Sequence, residues 1–113
     1  MRILLLDDID ARRVILEERL SPAEFVHATN ASEAITALQG ERFDLVHLDH
    51  DLGEEPAGTG AEVARAIAEL PPERRPLRAV IHSFNPVGAQ RMKAILEDAE
   101  VPTELKPFSS PRL

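Results

Sequence analysis

The chain has no cysteine among its 113 residues. That excludes a disulfide scaffold and any metal site built on thiolates. It also lacks an apolar stretch long enough to span a bilayer. No signal-peptide pattern precedes the first strand-like run, which starts at Arg2. The expectation is a cytoplasmic protein with no membrane association. No internal repeat and no low-complexity tract occurs. Positive charge is scarce, with 13 Lys and Arg against 20 Asp and Glu, for a net charge of -7. Nucleic-acid binding by general electrostatics needs many phosphate-neutralising cations, and this balance argues against it. A site for a single phosphorylated end is still compatible with it.

What the chain does have is material for a core. Hydrophobic residues make up 43% of it, and the length suits one domain, 1–113, around one core. Strand-like runs at 2–7, 24–28, 44–49, 78–83 and 103–106 alternate with four helix-like runs. The first, third and fourth runs are almost continuously apolar, as in strands covered on both faces. The first helix, about residues 10–20, is weakly striped. The second aligns Ala31, Ala34, Ile35 and Leu38, with Asn30 as cap and Glu33 three residues on. The third opens with a predicted capping box from Thr59 to Glu62 and buries Val63, Ala66, Ile67 and Leu70. The fourth opens on Asn85-Pro86, a cap and a first-turn proline, and aligns Met92, Ile95, Leu96 and Ala99.

Such alternation predicts an α/β domain with a parallel sheet, in the flavodoxin-like order 2-1-3-4-5. Strands 1 and 3 then lie side by side, and the crevice beyond their carboxyl ends is the expected ligand site. Asp7 and Asp8 end the run Ile3-Leu4-Leu5-Leu6, and Asp49 ends the third strand. Carboxylates converging there suit a hard cation such as Mg2+, which would in turn attract a phosphate.

These residues resemble the receiver domain of response regulators over nearly the whole chain. The resemblance matches Asp7 and Asp8 to the acidic pair that holds Mg2+ or Mn2+, and Asp49 to the phosphoacceptor. It matches Ser83 to the switch hydroxyl and Lys106 to the phosphoryl-pairing lysine, and it implies the Asp51 carbonyl as a further metal ligand. Ser83 could instead cap the following helix. Departures from the ordinary receiver are informative. Leu48-Asp49-His50-Asp51-Leu52-Gly53 replaces the usual apolar residues after the acceptor. Ile81-His82-Ser83 is followed by Phe84-Asn85-Pro86-Val87-Gly88, Thr103 stands where receivers often have an aromatic, and the fifth helix is expected to be missing. The two histidine motifs are similar to those of cyclic-phosphate-processing receiver domains.

That resemblance implies Mg2+-dependent handling of a cyclic phosphate on a nucleotide or RNA end. His50 and His82 would supply acid or base, or bind metal, beside Lys106; each could instead only bond loop backbone. Asp51 and Asn85 would tune hydrolysis, although Asp51 could equally cap a turn. His47 is expected to be a satisfied core histidine, His27 has no assigned role, and Arg74, Arg75 and Arg78 read as a solvated cluster. The alternatives are a stand-alone phosphoaccepting receiver served by a histidine kinase, and a non-catalytic module binding a phosphorylated partner. Helix 1 alone on one face, over strands apolar on both faces, predicts an exposed apolar surface and with it a homodimer or protein partner.

Overall fold

Five parallel strands form one sheet in the order β2-β1-β3-β4-β5, as the alternation predicts. The computed structural model describes residues 1–53 and 58–106. The strands are β1 (Arg2–Leu6), β2 (Glu24–Ala28), β3 (Leu45–Leu48), β4 (Arg78–Ile81) and β5 (Thr103–Leu105). The helices are α1 (Asp10–Leu20), α2 (Ala31–Gly40), α3 (Gly60–Glu69) and α4 (Pro86–Asp98), with a 3-10 turn at Pro72–Arg74. None of the helices among the described residues is long and apolar enough to cross a membrane.

Strand alternation sorts the side chains into two cores. Leu4, Leu6, Val46, Leu48, Ala79 and Ile81 pack under Ala34, Leu38, Val63, Ile67, Met92 and Leu96 of α2, α3 and α4. Ile3, Leu5, Leu45 and Val80 face the other way, with Leu16 of α1 and its partly buried neighbours Ile15 and Leu20. Each fully buried Leu or Ile contributes roughly 1.5–3 kcal/mol relative to exposure. The predicted exposed apolar face is therefore corrected. Ile3 and Leu5 are fully buried, and Leu45 and Val80 are only 7% and 4% exposed. Leu16, Ile15, Leu20, Ala23 and Phe25 pack on that side, so among the described residues these strand side chains do not form the exposed surface offered as a reason for a dimer. The expectation of a missing fifth helix concerns residues 107–113, which lie outside the described residues.

Capping follows the sequence at two helices of the three singled out. Asn30 Oδ1 accepts from the Glu33 N–H at 2.8 Å, and the Glu33 carboxylate returns to the Thr29 N–H at 2.7 Å. Asn85 Oδ1 accepts from the Gly88 N–H at 2.9 Å. At α3 the predicted box does not form, because the Thr59 side chain makes no cap bond. Thr59 instead pairs with Asp51 in an isolated antiparallel bridge, and its carbonyl takes the Glu62 N–H.

The register is what positions the site. Leu6 pairs with Ala28 and Leu48, and Leu48 pairs with Ile81. The backbone ladder continues one residue further, with Asp7 N–H to Ala28, Asp49 N–H to Leu6 and His82 N–H to Leu48 carbonyls at 3.0–3.1 Å. Asp7, Asp49 and His82 are thus held side by side by main-chain bonds.

Candidate functional site

Each of these three residues continues the α1-facing parity of its strand: Ile3-x-Leu5-x-Asp7, Leu45-x-His47-x-Asp49, Val80-x-His82. The site is the polar cap of the smaller core. Ligating atoms of Asp7, Asp49 and His82 lie within 4.8 Å of one another, and all three residues are buried. His82 Nε2 donates to Asp7 Oδ2 at 2.9 Å, and its Nδ1 meets His47 Nδ1 at 2.8 Å. Asp7 Oδ1 accepts from the Ile9 N–H, and Asp49 Oδ1 from the His50 N–H, both at 2.8 Å.

The two acids are pushed apart. Burial alone would raise Asp7, but the His82 and Ile9 hydrogen bonds and the charges of His82 and Arg12 outweigh it and hold its carboxyl below the ordinary value. At Asp49 burial wins, reinforced by the Asp7 charge, and the carboxyl is raised. Burial and the charge of His82 depress His47 to about 3, so it stays neutral near pH 7. With Asp7 ionised and His47 neutral, a single proton sits between the two Nδ1 atoms.

His50 follows the acid cluster directly. Its Nδ1 is 2.8 Å from Asp51 Oδ1, and Asn85 Nδ2 lies 3.4 Å from both. The ring lies against Gly88, where an added Cβ would come within 2.5 Å of it. At Gly60 a Cβ would collide with the Asp49 carbonyl. Glycine at these two positions lets the α3 and α4 starts close on the loop after β3.

The model of the cyclic-phosphate processing receiver domain family matches residues 2–98. The chain belongs to that family. No curated protein matches it. Among solved structures, the receiver resembles the response regulator TrrA of Thermotoga maritima in complex with Mg2+ and BeF, at 25% identity and TM-score 0.74, covering 97% of this chain and 88% of that one. A CheY-like receiver domain from Methylobacillus flagellatus is 18% identical with TM-score 0.73, over 96% of this chain and 88% of that one. A Burkholderia pseudomallei response regulator with a phosphorylated aspartate, calcium ion and citrate is 19% identical with TM-score 0.71. The receiver covers 98% of its own length in that match and 62% of the other chain.

The expected site residues do not all meet. Asp7 and Asp49 do, and Asp8 flanks them with its side chain 31% exposed. Asp51 turns its carboxylate to His50 and Asn85. Ser83 has the opposite strand parity from His82; its Oγ accepts from the Asn85 N–H at 3.0 Å, a local turn bond, whereas the cap of α4, raised as its alternative role, is Asn85. His82, expected as acid or base, is 1% exposed with both ring nitrogens engaged. Lys106 is 65% exposed and lies 3.4 Å from Glu104 Oε2, because the acids already have a cation. Arg12 Nε is 3.0 Å from Asp7 Oδ2, and its Nη2 lies 3.4 Å from Asp49 Oδ2 and 3.9 Å from Asp8 Oδ1. Sequence reasoning missed Arg12. The available signal was the weak stripe of α1, which carries Arg12 and Arg13 on its inward side. Arg13 is 9% exposed and donates to the Asp7 carbonyl and the Asp10 carboxylate.

The donor set fits a hard dication. Two buried carboxylates lie close together, and His82 donates an N–H bond to one of them, as second-layer groups commonly do at metal sites.

Proposed function

We propose that this domain opens cyclic phosphates carried by nucleotides or RNA ends, in a Mg2+- or Mn2+-dependent reaction. The observation that carries the reading is the buried Asp7–Asp49 pair with an oriented imidazole, His50, at the next position. Asp7 and Asp49 would hold the cation, with Asp8 on the outer side. A bound dication would supply charge stabilisation to the phosphate oxygens. Ring opening also needs a proton removed from water and one delivered to the leaving oxygen. Asp51 bonds His50 Nδ1, which leaves Nε2 as the atom that takes or gives that proton. Asn85 borders the same pair. His82 does not reach the substrate in this reading; it fixes the orientation and charge of Asp7, and His47 fixes His82.

The test is turnover of 2',3'-cyclic nucleotides and cyclic-phosphate RNA ends, with and without Mg2+. His50→Ala should lower turnover by roughly 10²–10⁴-fold while leaving Mg2+ affinity near wild type. No turnover on any such substrate would sink the reading.

One observation favours a second reading, a phosphoaccepting receiver served by a histidine kinase. Asp49 Oδ2 faces a cation rather than a backbone donor, and the Burkholderia pseudomallei relative carries a phosphorylated aspartate.

A further inference from the structure

We propose that Arg12 is the phosphate-recognising cation of this site, released to that task when a divalent cation takes its place between Asp7 and Asp49. The inference rests on reading the acidic cluster as a metal and phosphate site.

Each of the two buried acids has one oxygen committed to the backbone. Asp7 Oδ1 serves the Ile9 N–H and Asp49 Oδ1 serves the His50 N–H. The Oδ2 atoms carry no backbone bond; Asp7 Oδ2 accepts from His82 Nε2 at 2.9 Å, and Arg12 contacts both Oδ2 atoms, at 3.0 and 3.4 Å. A metal ion drawing on both acids needs the same oxygens. Guanidinium and dication therefore compete, and two unit charges concentrated on one small ion prevail over one spread across a planar group. The three acids and Arg12 together carry a net charge of -2 when all are ionised, so a dication is attracted even with Arg12 in place.

Displacement does not take Arg12 far. Its side chain is rooted in the first turn of α1 and is 15% exposed. Its guanidinium carbon already lies 5.9 Å from the centroid of the Phe84 ring, which is 60% exposed at the mouth of the site. An aromatic face holds a guanidinium favourably. From there the planar fork of donors matches two phosphate oxygens at once. Lys106, just past β5, is engaged with Glu104 two residues before it and is well exposed. The cation that the fold delivers to the acids is the one on α1.

The two roles predict opposite effects of one substitution. Mg2+ is titrated calorimetrically into wild type, Arg12→Gln, Arg12→Lys and Lys106→Gln in phosphate-free buffer. Inorganic phosphate is then titrated into each protein at saturating Mg2+. Arg12→Gln should bind Mg2+ several-fold more tightly and phosphate at least about tenfold more weakly, the loss of a charge-assisted hydrogen bond. Arg12→Lys keeps the charge, and should keep Mg2+ affinity near wild type and recover part of the phosphate affinity. Lys106→Gln should change neither. Circular dichroism melts at saturating Mg2+ confirm folding, and Arg12→Lys carries the test if Arg12→Gln does not fold. Unchanged or weaker Mg2+ binding in Arg12→Gln overturns the inference. So does unchanged phosphate binding, or phosphate loss in Lys106→Gln in its place. A wild type that binds no Mg2+ overturns the metal-site reading together with it, whereas normal Mg2+ binding with indifferent Arg12 variants overturns this inference alone.

Discussion

Acidification from neutral pH should destabilise this protein through a histidine that the proposed reaction does not use. His47 is 6% exposed, and its Nδ1 is 2.8 Å from His82 Nδ1. Burial, then the positive charges of His82 and Lys106, lower it from 6.5 to about 3. Between those values the unfolded chain binds a proton that the native ring refuses. Stability is therefore complete above pH 6.5 and declines as pH falls toward 3. Each unit below the unfolded value costs about 1.4 kcal/mol, so the loss at about pH 5 is about 2 kcal/mol. Two buried carboxylates also contribute and oppose each other. Asp7, held below its ordinary value, loses stability on further acidification, whereas Asp49, raised by burial, is relieved by protonation. His47→Gln isolates the histidine, because an amide can hydrogen-bond His82 and does not titrate. Urea unfolding of both proteins across this interval measures the effect. Wild type should lose about 2 kcal/mol more than His47→Gln between about pH 7 and about pH 5. Parallel pH profiles in the two proteins would refute the argument.

Asp49→Asn should raise metal-free stability at pH 7, since burial and the Asp7 charge make the ionised form costly, and should weaken Mg2+ binding; Asp7→Asn should weaken Mg2+ binding and lower stability. Calorimetric titration and thermal melts separate these two outcomes. Acetyl phosphate should label Asp49 or nothing: an adduct seen by intact-protein mass spectrometry in wild type and absent from Asp49→Ala supports the signalling reading, and failure to label under conditions that label an ordinary receiver supports the cyclic-phosphate one. Gly60→Ala should cost about 1–3 kcal/mol through the clash with the Asp49 carbonyl, and a urea midpoint equal to wild type would show that α3 shifts freely.

The sheet order and both cores were legible because apolar runs and helical stripes repeat with different periods, and each run ends where the structure ends its strand to within about two residues. Asp7 and Asp49 were legible for the same reason, as the first polar residues after such runs. The chemistry of His82 was not. Position along the chain makes it a neighbour of Ser83, but alternation turns it to α1 and Ser83 away, and only the register shows that Asp7 and His47 take both its nitrogens. Arg12 was hidden by composition, since an arginine in a helix reads as solvated until the sheet supplies the acids beneath it. Thr59 had the right spacing for a capping box, yet the bridge to Asp51 holds it. Local propensity there is overruled by a contact eight residues distant in sequence.

The parity that gathers Asp7, Asp49, His47 and His82 over one core ties the site to strand alignment. A slip of β4 by one residue would exchange His82 for Ser83 or Ile81 beside Asp7, and would send Val80 to the wrong core. No partly aligned sheet can offer the three converging groups. Metal uptake by this chain would therefore serve as a proofreading signal for its own folding. A cation that binds only the correctly zipped sheet adds its binding energy to that arrangement alone, which makes slipped intermediates less competitive wherever the cation is abundant.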